Sequence, residues 1–250
     1  DLVTGVQTCA LPISSYFEEL NELYYTLTTH QGNSPDAKYK MHLLSNIEQI
    51  PKKANKTIFI VPTIEGAHSL GIGDPDAKKL NTNQLKKLLS KNIRDVKSWS
   101  TPPFFIGLAH HFWNQLCGHA KSFKHPVDLV VDQTIGMNKG ITGLGWHVIK
   151  ELLTRKNGRR ILIDIKHMSA KSRLEFYHFI NDYNYINQED KIPIICSHSG
   201  VNGFGSYKNM MLYADSKTRS NKKIFNNWSL NLCKEEIKFI HDSNGMIGII

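Results

Sequence analysis

The chain has 250 residues, 40% of them hydrophobic, and a formal net charge of +9, a length that suits one domain with one large core. Its lysines are scattered through KKANK, QLKKLLSKN and NKK without an RNA-binding motif around them, so the basic balance describes association behaviour and does not point to a nucleic-acid partner. Four cysteines without paired spacing exclude a disulfide framework and a zinc ribbon, and no apolar run reaches the length of about 18 residues that spans a bilayer.

The first thirteen residues, DLVTGVQTCALPI, resemble the translation of a sequencing adapter fused to a reading frame, and are set aside as a non-native segment. With the true start missing, a signal peptide is not readable and localisation stays unknown. From residue 14 to 250 the chain reads as one domain. SYFEELNELYYTL (15–27) reads as a helix. The first strand is TIFIVPTIEG (57–66), followed by a helix in which Leu85, Leu88, Leu89 and Ile93 fall at helical spacing.

A second strand, PFFIGLAHH (103–111), precedes GWHVIKELLTRKNG, where Trp146, Ile149, Leu152 and Leu153 share a side and Gly158 suits the stop. RRILIDIKH (159–167) is the third strand, and the helix after it starts at Ser169, a favourable N-cap. IPIICSHSG (192–200) is the fourth strand. A long polar stretch then runs to Trp228, the helix KEEIKFIHDSNG follows, and GMIGII (245–250) reads as a buried strand that stops abruptly.

Each strand is short, continuously apolar and bounded by turn formers, as expected when helices cover both faces of a parallel sheet. The expected fold is a (β/α)8 TIM barrel, an α/β class, present as an incomplete internal fragment with about five of its eight strands visible. The connection after 199 is longer than an ordinary βα loop, which in a barrel places it over the active face.

Glu65, His110, His167 and His198 each stand at the C-terminal end of a different predicted strand, where barrel enzymes carry their catalytic groups. One glutamate with several imidazoles is a metal-ligand set: zinc takes nitrogen at about 2.0–2.1 Å and carboxylate oxygen at about 2.0–2.2 Å. A single histidine at a strand end would more often be a loop hydrogen-bonder. Three of them with a glutamate at equivalent positions argue for a shared metal.

The motifs that carry these residues resemble those of the membrane dipeptidases (renal dipeptidase, peptidase family M19) of the amidohydrolase superfamily. IEGAHSLG is similar to that family's V-E-G-G-H-S strand end, LIDIKHMS to its L-I-D-L-x-H-V-S, and PIICSHSG to its P-V-I-x-S-H-S. GLAHHFWNQLCGHA matches an L-T-H-x-x-x-N segment, and ITGLGWHVIKELL also has its counterpart, so the ordered set covers roughly 57–200.

The resemblance implies a zinc-dependent dipeptidase that hydrolyses dipeptides by a metal-bridging hydroxide. Glu65 would bridge two Zn2+ ions, His167 and His198 would bind the second ion, and His110 would stabilise the oxyanion. A homodimer is also implied. The family's first-strand His-x-Asp pair would lie before residue 14 and its late-strand aspartate beyond Ile250, so the fragment by itself is expected to be weak or inactive. The substrate-carboxylate arginine has one late candidate, Arg219. Two alternatives stay open: another hydrolase of the superfamily acting on a cyclic amide or phosphoester, and a metal-binding homologue without catalysis.

Other residues have plainer readings. His68 is expected to support the loop of Glu65. His111 and His119 flank an aromatic segment. Asp164 alternates away from Ile163 and Ile165 and suits the bracing of a neighbouring loop. Cys196 reads as a small buried hydrophobe, and Trp99, Trp113 and Trp228 as core before pocket wall. Asn114 either contacts substrate or caps a helix after His110.

Overall fold

A computed structural model describes residues 16–29, 40–52, 56–123, 126–215, 224 and 226–249 of the chain. The adapter-like residues 1–13 and Arg219 lie outside the described residues.

The chain is a mixed α/β structure, and among the described residues every strand pairing is parallel. Its strands are β1 (Lys40–Leu43), β2 (Thr57–Ile60), β3 (Phe105–Gly107), β4 (Leu162–Asp164), β5 (Ile195–Ser199) and β6 (Met246–Ile249). Its helices are α1 (Tyr16–Thr29), α2 (Thr82–Lys97), α3 (Gly143–Leu153), α4 (Ala170–Ile186), α5 (Tyr207–Tyr213) and α6 (Lys234–Asp242). β1 pairs with β2, and β3, β4, β5 and β6 form a second sheet in chain order. The two sheets are stitched by a parallel bridge between Ile64 and Ile106, with Ile64 N donating to Phe105 O at 3.1 Å and Gly107 N to Ile64 O at 2.8 Å.

All five expected strands are present, each shorter than its apolar run. In the run 192–200, for example, Asn184 holds the amide and the carbonyl of Ile192 at 2.7 and 3.0 Å. The hydroxyl of Ser243 takes the amide of Ile194 at 3.0 Å. These residues are buried yet satisfied by side chains, so the ladder begins only at Ile195. β1 and α5 are additional to the sequence reading.

The helices form where caps and apolar spacing agree. Asn81 caps α2 by accepting from the amides of Asn83 and Gln84, while the Gln84 side chain accepts from Asn81 N, a reciprocal box. Leu85, Leu89, Ile93 and Val96 bury the inner stripe. Ser169 caps α4 as expected, accepting from Ser172 N at 3.0 Å. α3 ends at Leu153 and not at Gly158: the Lys97 ammonium donates to the carbonyl of Thr154 at 2.6 Å and closes that end, and Gly158 sits beyond it at φ +110°. The main core is a continuous cluster of aliphatic and aromatic side chains from β3 to β6 and from α2, α3, α4 and α6, and a smaller cluster holds Ala170, Phe204, Met210 and Cys233. The main core fixes the strand ends relative to one another. Among the described residues no helix is long and apolar enough to cross a membrane.

Candidate metal centre

Four successive strand units deliver Glu65, His110, His167 and His198 to one place. Glu65 follows the Ile64 bridge directly. Gly66 after it has φ +107°, and a Cβ there would come within 2.4 Å of the His68 ring, so glycine lets the chain turn away while the glutamate stays at the rim. His110 lies three residues past β3. His167 follows β4 in the left-handed region, φ +65°, a conformation that costs energy outside glycine and concentrates at functional sites.

β5 has an irregularity at His198. Cys196 pairs with Ile247 and Ser199 with Ile249, so three residue steps on β5 face two on β6. A bulge of this kind re-aims a side chain. Here it presents the His198 imidazole to Glu65.

Glu65 Oε1 stands 3.1 Å from His167 Nε2, 3.1 Å from His198 Nε2 and 3.8 Å from His110 Nε2. Contact with His167, then with His198, holds the Glu65 carboxyl well below the usual carboxylate range, against the effect of burial. Burial pulls His110 down to about 3 and His111 down to about 4, and it lowers His167 despite the hydrogen bond to Glu65. These rings are therefore neutral near pH 7, with a lone pair each to offer.

A second layer fixes the His198 tautomer. The Asp164 carboxylate accepts from the amides of Lys166 and Ser197, both at 3.0 Å, and from the Ser197 hydroxyl at 2.5 Å. With its proton given to Asp164, Ser197 Oγ accepts from His198 Nδ1, 2.7 Å away. That leaves the Nε2 lone pair aimed at a carboxylate oxygen 3.1 Å off. Two acceptors face each other there, an arrangement that needs a proton or a cation between them. Asp164 thus braces the neighbouring strand β5, where alternation along β4 suggests a neighbouring loop.

Two groups of side chains have ligand atoms within 4.8 Å of one another and could hold a metal ion: Glu65, His167 and His198, and His110, His111 and His167. His111, read from sequence only as a flank of the aromatic segment, thus joins the cluster, its ring centroid 4.1 Å from that of His110 and 4.7 Å from that of His167. The signal was the doubled histidine itself, His110-His111, at a strand end.

Of the plainer candidates, His68 stays beside the site and the others serve the surrounding structure. His119 is fully buried, with both ring nitrogens 3.1 Å from the carbonyls of Ala120 and Ile135. Asn114 braces the irregular segment by donating to Leu108 O at 2.7 Å and accepting from Leu116 N at 3.1 Å. It caps no helix, because none follows His110 directly. Cys196 is buried and its thiol is pushed up to about 12 by burial, which suits a small hydrophobe. Trp99 stacks on Tyr24 at 4.1 Å and Lys139 lies 5.4 Å from the centre of the Trp113 ring. His68 stacks against His110, ring centroids 5.7 Å apart.

No family model matches the chain, and no curated protein matches it. The chemistry of the site therefore rests on its own geometry.

Proposed function

We infer that this chain is part of a zinc-dependent hydrolase of the dipeptidase kind, its parallel strands being consecutive members of a (β/α)8 barrel. The observation that carries the reading is the convergence of Glu65 with His167, His198 and His110 at the ends of successive parallel strands, the place where barrel enzymes work. The similarity of IEGAHSLG, LIDIKHMS and PIICSHSG to membrane dipeptidase motifs supplies the substrate class.

The donor set fits zinc. Glu65 offers a carboxylate held in its charged form, and His167 and His198 offer imidazole nitrogens, the mixture that zinc prefers over magnesium or calcium. The opposed acceptors of Glu65 and His198, 3.1 Å apart, are the structural ground for that fit. Bound there, zinc would polarise a substrate carbonyl and make water acidic enough to attack at neutral pH.

The protein's own contributions are positional. Glu65, His167 and His198 hold the centre, and Asp164 through Ser197 keeps His198 in the ligand-competent tautomer. His110 is uncharged at neutral pH, so its ring N–H is the group that hydrogen-bonds the oxygen of the scissile carbonyl as negative charge develops. Removing one such donor costs about 100-fold to 1000-fold in rate.

The test is zinc content and hydrolysis of a dipeptide panel by the complete protein to which this chain belongs and by its His198→Ala variant. Release of free amino acids that depends on zinc, lost together with the metal in the variant, is the expected result. Turnover of cyclic amides or phosphoesters without any dipeptide cleavage, or zinc binding with no hydrolysis at all, would replace the dipeptidase reading with one of its rivals.

A further inference from the structure

Next to the Glu65 centre lies a second donor set made only of imidazole. The ligand atoms of His110, His111 and His167 lie within 4.8 Å of one another. Each ring also carries a buried nitrogen with no hydrogen-bond partner: Nε2 of His110, Nδ1 of His111 and Nδ1 of His167. Buried polar atoms are ordinarily satisfied. Three exceptions on three touching rings mark the place of a common partner, and in the tautomers that leave these nitrogens unprotonated that partner is a cation.

We propose that His110, His111 and His167 form a second cation position, for a divalent ion that prefers nitrogen such as zinc or cobalt(II), and that filling it inhibits the enzyme. The binding part stands on the three rings alone; the inhibition rests on the hydrolase reading above. Oxygen-seeking ions such as magnesium and calcium find no carboxylate among these three donors, so they do not compete.

Inhibition follows from which residues are shared. A neutral imidazole has one lone pair, and His167 belongs to both groups, so an ion at the second position draws His167 away from the Glu65 centre or binds with two rings. Either way it is held more weakly than the first. An ion on His110 also occupies the ring assigned to the developing oxyanion. Metal should therefore activate at low concentration and inhibit in excess.

Equilibrium dialysis against zinc with elemental analysis, repeated with cobalt(II) absorption, measures the equivalents held by the same complete protein and by its His111→Phe variant. His111→Leu is carried in parallel and circular dichroism checks both folds. The expected result is one equivalent fewer in both variants, the tighter equivalent surviving in them and being lost in His198→Ala, with inhibition by excess zinc present in the parent protein and absent in His111→Phe. Equal metal content in the parent protein and both His111 variants overturns the second position, whatever the activity. A deficit in the variants without dipeptide hydrolysis in any of them keeps the position, and overturns its inhibitory role together with the hydrolase reading.

Discussion

Two buried polar clusters meet the chain at Met168, one through its carbonyl and the other through its neighbour His167, and they are finished differently. On one side Arg173 and Glu236 form a closed network. Arg173 Nε donates to Glu236 Oε1 at 2.6 Å, its two terminal nitrogens donate to the carbonyls of Met168 and Ser229 at 2.8 Å each, and Tyr177 donates to Glu236 Oε1 at 3.1 Å. Glu236 Oε2 takes the Cys233 amide at 2.9 Å and opens α6. On the other side the rings of His110, His111 and His167 each leave a buried nitrogen without a hydrogen bond. A network whose members satisfy one another holds structure. One that leaves several ring nitrogens unpaired is a group that could hold a metal ion.

The sharpest way to break this contrast is to delete one member from each side. Glu236→Ala strands the Arg173 guanidinium: the side chains of Arg173 and Glu236 are 2% and 0% exposed, and loss of one partner of a buried ion pair costs about 3–5 kcal/mol. Urea unfolding should show that loss in full, and α6 should lose its N-terminal cap as well. A drop under about 1 kcal/mol, the ordinary worth of an exposed pair, would mean that the two clusters do not differ in kind.

Asp164→Asn should leave the fold largely intact and act on the metal. An amide in place of the carboxylate donates to Ser197 Oγ, so the serine proton turns toward His198 Nδ1 and the Nε2 lone pair facing Glu65 is replaced by N–H. Loss of such an outer hydrogen-bond partner weakens metal binding about 10-fold to 100-fold. Competition with a chromogenic chelator measures it. Unchanged zinc affinity in a folded variant would show that His198 needs no support from β4.

How much of this was readable in sequence depends on how local the cause is. Glu65, His110, His167 and His198 were visible because each follows a short apolar run, and strand ends are set by near neighbours. Ser169 declared its helix for the same reason. β1 was not visible: KMHL begins with a charge, has four residues and is a strand only because Lys40 to Leu43 pair with Thr57 to Ile60. α5 was hidden in a polar stretch, since its cap Ser206 is ordinary and its buried Met210 packs on residues distant in sequence. The part of His111 depended on its position across from His167, 56 residues later by number, and the bulge that turns His198 depended on β6. Pairwise geometry of that kind leaves no period in the chain.

The smallest expected effect concerns protons, and its sign follows from burial. His110 and His111 have pKa values pulled below the ordinary 6.5, to about 3 and about 4. Between those values and 6.5 the unfolded chain binds protons that the folded chain does not, so metal-free stability falls as pH drops from about 6.5 toward 4. Glu65, held below its ordinary 4.5, adds a loss of the same sign beneath that value. The Arg173 guanidinium is buried, but Glu236 raises its pKa above the ordinary arginine value, so it stays charged throughout and contributes no slope. His110→Leu removes one of the groups that must stay neutral, together with a buried nitrogen that had no hydrogen bond. Metal-free urea midpoints for the variant and the parent protein should therefore nearly coincide at pH 7 and separate in favour of the variant by pH 5. Parallel curves from pH 7 to 5 would mean that the His110 proton is as easily added in the folded state as in water, and the open side of the comparison would lose its physical basis.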